Sequence, residues 1–245
     1  MKIILHTAKA PINARTEFAQ STWKGNFELR VVECERTAKD IGCTRGCYYV
    51  KDIYDKSLEL NDDDIFCYIN SDCALVPEWT DIIVPIIAKF GCAYSHRVEV
   101  SKFGRMFHAN DFINHNTSLG VDFMAFTPAW WKAHRDKFPD GVIGHEGHDF
   151  PIVYYMRKSG FDRMPPVIWH ERHLSFWNRP HNLQDHPVQK EVRRRLVEWT
   201  KTEPGSERYL SKGAYLFCSI YTPNEYFHYS DLHQRQLQRW KYVGP

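Results

Sequence analysis

The first apolar run, KIILHTA at 2–8, reads as a strand that begins almost at the first residue, and ELRVVECE at 28–35 predicts a second. The polar stretch between them has room for a short helix around Ala14–Ser21. In GCYYVKDIYDKSLEL (46–60) the apolar positions Tyr49, Ile53, Tyr54 and Leu58 recur with helical period, and Asn61-Asp62-Asp63-Asp64 ends the segment in a turn. DIFCYINSD (64–72) opens with a nearly continuous apolar run, the pattern of a strand covered on both faces. Pro77–Phe90 predicts a helix that starts at Pro-Glu and stops at Gly91, followed by a strand at 92–100 (CAYSHRVEV). Residues 101–117 are polar and weakly patterned, like an active-site loop. A further strand, SLGVDFMAF (118–126), leads into a proline-opened helix at 128–138. DFPIVYYMRKSG (149–160) predicts a helix with Asp149 as its cap, proline in its first turn and a terminal glycine. VIWH at 167–170 is a short extended segment, and HPVQKEVRRRLVEWTK (186–201) and a stretch near 230–241 are predicted helices.

This alternation of strand and helix over 1–160 predicts an α/β fold: one domain with a mainly parallel or mixed central sheet flanked by helices. Residues 1–177 would form the domain, and 178–245 a partly helical C-terminal extension packed on it. A chain of 245 residues is long enough to build a core without staples. Aromatics make up 15% of it, a density that fills a core and also lines pockets for planar or sugar-like faces. Lys plus Arg is 32 and Asp plus Glu is 30, so no global basic field marks a nucleic-acid binder. The seven cysteines are odd in number, and Cys43-x3-Cys47 lacks a second pair to complete a zinc ribbon. Cys67 and Cys92 sit in apolar runs and read as buried thiols. No signal peptide and no run of about 18 apolar residues is visible, so the expectation is a cytoplasmic protein.

Chemistry concentrates where the apolar strand of 64–72 ends. In open α/β sheets ligands bind beyond the carboxyl ends of strands. There Asn70, Ser71 and Asp72 offer an amide, a hydroxyl and a carboxylate, hard oxygen donors suited to Mg²⁺ or Mn²⁺ and, through the ion, to phosphate. A strand ending in a plain turn, with Asp72 bonded to its neighbours, is the other reading. Glu146 and Asp149 are three apart and would share a face in a helical turn, where one carboxylate can take a proton from an attacking hydroxyl. Asp149 can equally serve only as a helix cap.

With these motifs in order, the chain resembles a nucleotide-sugar-dependent glycosyltransferase of the GT-A fold. In that family a short Asp-x-Asp motif at a strand end holds the divalent metal that contacts the donor diphosphate; here Asn70-Ser71-Asp72 stands in its place, with Asn for the first carboxylate. SLGVDFMAFTPAWW (118–131) is similar to the strand and helix that line the donor-sugar and acceptor pocket, which would place Gly120 and Asp122 there. GHEGHDFPIVYYM (144–156) is similar to the segment facing the acceptor, and VIWHERHLSFW (167–177) to the late strand whose histidine returns to the metal. The resemblance covers about 1–177. It implies Mn²⁺ or Mg²⁺ on Asp72 and on His170 in preference to His173, a nucleoside diphosphate sugar as donor, and a carbohydrate or other hydroxyl compound as acceptor. It favours Asp149 as base, with Glu146 second, and an inverting transfer. The nucleotide would lie at the first two strand ends, near Thr7, Ala8 and Glu33, with Arg45 reaching the diphosphate.

Two other classes remain open on the sequence. One is a non-catalytic glycan- or nucleic-acid-binding protein on the same scaffold; the run Lys190–Arg195 (KEVRRR) and Arg235, Arg239 and Lys241 leave DNA as a conceivable acceptor or partner. The other is a zinc hydrolase using His145, His148 and His170, although His145-Glu146-Gly147-His148 lacks the spacing of the zinc-protease helix. No Gly-x-Gly-x-x-Gly and no phosphate-loop Lys-Ser/Thr signature is present, which argues against dinucleotide oxidoreductases and nucleotide hydrolases.

Overall fold

A computed structural model describes residues 1–43, 47–104, 117–145, 147–161, 164–171 and 187–206. The chain is α/β, with one mixed seven-stranded sheet flanked by helices. Its strands are β1 (Ile3–Ala8), β2 (Glu28–Val32), β3 (Ile65–Ile69), β4 (Cys73–Leu75), β5 (Cys92–Val100), β6 (Thr117–Phe126) and β7 (Ile168–Glu171), in the order β2-β1-β3-β6-β5-β7-β4. β2, β1 and β3 run parallel, β6 is antiparallel to both β3 and β5, β7 runs with β5, and β4 opposes β7. Five strands therefore share one direction, and β6 and β4 oppose them. The consequence for function is geometric. The ends of β1, β3, β5 and β7 and the starts of β6 and β4 all lie along one edge of the sheet.

The helices are α1 (Ala14–Ser21), α2 (Val50–Tyr54), α3 (Trp79–Phe90), α4 (Pro128–His134), α5 (Phe150–Lys158) and α6 (Pro187–Thr202). Asn13 starts α1 with a capping box, its side chain accepting from the Arg15 and Thr16 N–H groups. The helix expected over 46–60 is shorter, because Tyr48 and Tyr49 form isolated β-bridges to Thr37 and Val142 before Val50 begins the helix. A 3-10 turn (Asp55–Glu59) follows. α3 begins after Pro77-Glu78 rather than on them, and carries Pro85 inside. The three-residue strand β4 was not foreseen.

β3 is buried along its whole length, as its unbroken apolar run predicts. Phe66 stacks on Phe126 of the neighbouring β6, and Tyr54 and Trp131 close over the pair. α6 docks through Val188, Val192, Leu196 and Trp199, and the Trp199 indole N–H donates to the Tyr155 hydroxyl of α5. Cys67 and Cys92 are buried thiols. No helix among the described residues is long and apolar enough to cross a membrane.

Candidate functional site

Register brings the site together. In β7, His170 lies between Glu99 of β5 and Cys73 of β4, the residue after Asp72. The His170 ring is held on both sides: Nδ1 is 3.0 Å from Glu99 Oε2, and Nε2 is 3.5 Å from Asp72 Oδ2. Burial works to lower the histidine's pKa, but the two carboxylates outweigh it and raise the pKa to about 9. Arg97, two residues before Glu99 on the same strand face, bonds Glu99 Oε1 at 2.7 Å and Asp122 Oδ2 at 2.6 Å. Burial opposes the Arg97 charge, and Asp122 and Glu99 more than restore it. Gly120 makes room for this guanidinium, since a Cβ there would meet Arg97 Cζ at 2.9 Å. Arg15, in the first turn of α1, stands 3.8 Å from Asp72 Oδ2.

Asn70 joins the network as a strut. Its Nδ2 donates to Asp122, its Oδ1 accepts from the Tyr68 hydroxyl at 3.1 Å, and its backbone N–H donates to the Asp122 carbonyl. Among the described residues, three carboxylates (Asp72, Glu99, Asp122) face three cations (Arg15, Arg97 and protonated His170). Each of these carboxylates has a cationic partner, which offsets part of the cost of burying the group.

Asp149 lies beside this group. It precedes α5 but makes no capping hydrogen bond through its side chain, because its backbone is helical (φ −89°, ψ −13°) rather than extended. Its Oδ2 instead accepts the Val121 N–H of β6 at 3.4 Å. Burial raises the Asp149 pKa and Asp122 adds to the rise, while His148 acts against it. The residue keeps partial contact with solvent. The turn before it is fixed by Gly147 (φ 82°), where Leu196 of α6 leaves no space for a Cβ.

A divalent cation placed here would have two ligands among the described residues, Asp72 and His170. Asp72 Oδ2 and His170 Nε2 are 3.5 Å apart, a separation that bonds of about 2.1 Å to a common ion can span. Glu99 on Nδ1 fixes the tautomer that presents Nε2 as the ligand, the usual carboxylate support behind a metal-bound imidazole. Binding would displace the proton that His170 carries.

The structure thus gathers Asn70, Asp72, Asp122, Asp149 and His170 and adds Arg97, Glu99 and Arg15. Ser71 is half-buried in the turn between β3 and β4. Thr7 and Ala8 end β1 at the same sheet edge, and the buried Thr7 hydroxyl has no hydrogen-bond partner among the described residues. Glu33 is exposed and paired with Lys9 at 2.6 Å, outside the charged network. Arg45, Glu146 and His173 lie outside the described residues, as do Arg235, Arg239 and Lys241. The triple arginine is partly neutralised within its own helix, Arg194 and Arg195 both pairing with Glu191. His145, His148 and His170 do not meet: His148 Nδ1 is bonded to the His145 carbonyl, and His145 Nε2 approaches Cys43.

The residues missed from sequence, Arg97 and Glu99, left one signal. They are charges two apart, alternating with the buried Val98 and Val100 in CAYSHRVEV, which places both on one face of the strand. No protein-family model matches the chain, and no curated protein matches it.

Proposed function

We propose that the chain is a glycosyltransferase that moves a sugar from a nucleoside diphosphate sugar to a hydroxyl acceptor at the sheet edge built around Asp72. The observation that carries this reading is the Asp72–His170–Glu99 arrangement, in which a carboxylate just past the end of β3 meets a carboxylate-supported imidazole of β7. Asp72 and His170 would hold Mn²⁺ or Mg²⁺, which would absorb charge on the departing diphosphate. Arg15 and Arg97 bring fixed positive charge to the same place. Thr7 and Ala8, ending β1 on that edge, suit the nucleoside portion.

Asp149 would receive the proton of the acceptor hydroxyl while the hydroxyl oxygen bonds to the anomeric carbon. The bond from that carbon to the diphosphate oxygen breaks, and the nucleoside diphosphate leaves. Its raised pKa brings the carboxylate closer to the working range of a general base, and direct displacement inverts the anomeric centre. Incubating the purified chain with Mn²⁺ and a panel of uridine and guanosine diphosphate sugars tests the reading. Release of nucleoside diphosphate that depends on Mn²⁺ and on a hydroxyl acceptor supports it; binding of these donors without release under any acceptor condition overturns it.

A second reading rests on the charge balance of the network, which is complete without a divalent ion when His170 is protonated. It makes the chain a binding protein that recognises an anionic glycan or nucleotide through its own cations. Ligand binding that is unchanged by chelators and never accompanied by turnover would select it.

A further inference from the structure

A second cluster uses none of the residues of the Asp72 network. Cys43, Cys47 and His145 place one ligand atom each within 4.8 Å of one another, with Cys43 Sγ 3.9 Å from His145 Nε2. Cys43 and His145 are buried and Cys47 is half-buried; both cysteines stand as thiols. Two Zn–S bonds of about 2.3 Å meeting tetrahedrally set their sulfur atoms about 3.8 Å apart, so a zinc ion would need only small side-chain adjustments here.

The backbone preorganises these groups from two distant parts of the chain. Gly42, in the left-handed region at φ 90°, ends a 3-10 turn (Ala38–Ile41) and turns the chain into Cys43. The Cys43 N–H donates to the Ala38 carbonyl at 2.9 Å, and the Cys47 carbonyl accepts from the Ala38 N–H at 2.8 Å. Cys43 and Cys47 are therefore both tied to one buried residue, Ala38. Opposite, the Val50 N–H donates to the Gly141 carbonyl and the Ile143 N–H to the Tyr48 carbonyl, which lays the 141–145 segment beside residues 47–50. The His145 N–H then donates to the Val142 carbonyl at 3.1 Å, a turn that accompanies the burial of the imidazole beside Cys43.

Thiolate and imidazole are the ligands of zinc and other soft or borderline ions, not of Mn²⁺ or Mg²⁺. We infer that Cys43, Cys47 and His145 form a zinc site that clips Cys43 and Cys47 to the segment preceding Asp149. Three protein ligands leave one position for water or for a group outside the described residues. Binding releases the protons of both thiols, so zinc affinity falls as pH falls. By joining positions about a hundred residues apart, the ion constrains a long loop in the unfolded chain, and its binding energy adds to folding. This inference stands whether or not the glycosyl-transfer reading does.

The test uses the full chain, purified without a polyhistidine tag under reducing conditions. Metal analysis followed by Zn²⁺ titration against a chromophoric chelator should give one equivalent of bound zinc. Co²⁺ in its place should produce a thiolate charge-transfer band and the visible bands of a tetrahedral ion. Cys43→Ser, Cys47→Ser and His145→Gln should each weaken zinc by at least about tenfold, or about 1.4 kcal/mol. Cys34→Ser and Asp72→Asn should keep one equivalent. Zn²⁺ should also shield Cys43 and Cys47, but not Cys34, from alkylation in the unmodified chain, a readout that does not depend on any variant folding. Absence of the cobalt–thiolate band, equal alkylation with and without zinc, or a Cys43–Cys47 disulfide in the reduced preparation would overturn the site.

Discussion

At one end of β3 and β6, Phe66 and Phe126 stack with ring centroids 4.7 Å apart, and Tyr54 and Trp131 pack edge-on and face-on around them. Just past the other end of β3, Asn70 is bonded to Asp122 in the middle of β6, and Asp122 to Arg97. The first end consists of groups that gain by leaving water. The second holds ionised groups that lose by it and are retained only through mutual pairing. A fold built for stability alone has no need of the second kind of end, which is why the charged one is the place to look for function. The contrast also assigns the effects of substitution, with folding energy at the ring end and chemistry at the charged end.

The largest effect is expected where the ring end is broken. Phe126→Ala should cost about 3–5 kcal/mol in denaturant unfolding, since the ring touches Phe66, Tyr54, Trp130 and Trp131 and the void cannot collapse around a strand. A loss below about 1 kcal/mol would mean that the stacked rings are not the core of this sheet.

At the charged end the expected pattern reverses. Asp149→Asn should lower glycosyl transfer by a factor of about 10² to 10⁴ with donor binding preserved. Its cost in stability should stay below about 1 kcal/mol, because the side chain caps no helix and its ionised form is disfavoured by burial. Full activity in this variant would leave Glu146→Gln as the next substitution to assay.

A pH effect of intermediate size belongs to His170. Its folded pKa of about 9 lies above the ordinary 6.5, so the protonated ring contributes stability in full below pH 6.5. That contribution, on the order of 2 kcal/mol or less, is lost as pH rises through 9. Thermal unfolding of the metal-free chain between pH 6 and 10 should show the decline, and His170→Gln should flatten it. An unchanged slope in that variant would place the titration elsewhere.

The smallest effect is expected at Glu33. Its pair with Lys9 is exposed on both sides, so Glu33→Gln should leave denaturant unfolding and donor affinity unchanged. A marked loss of donor affinity would extend the site across β1 to β2.

How much of this was readable beforehand follows from what each pattern encodes. β3 was legible because an unbroken apolar run has one physical meaning when bounded by turns, and α5 because proline in its first turn and glycine after its end mark its bounds. β4 was not, since Cys73-Ala74-Leu75 is too short to show a period and acquires its identity only by pairing with β7. The reversed direction of β6 is likewise a matter of pairing between distant segments. Asp72 and His170 could be named as separate candidates because each follows or closes an apolar run. Arg97 and Glu99 were passed over because a charge inside a strand looks solvated until the register shows what faces it. The capping role of Asp149 failed for a related reason, since backbone angles decide whether a carboxylate can reach its own helix.

Asp72→Asn tests the charged end most directly, because it keeps the side chain's shape and removes the carboxylate that faces His170 Nε2. Steady-state transfer with Mn²⁺ and the preferred donor, measured beside circular dichroism of the same samples, is the decisive comparison. A loss of at least about 100-fold, close to 2.7 kcal/mol of transition-state stabilisation, with an unaltered fold is the expected result. Near-normal, Mn²⁺-dependent turnover by the variant would contradict the assignment of this cluster as the donor site.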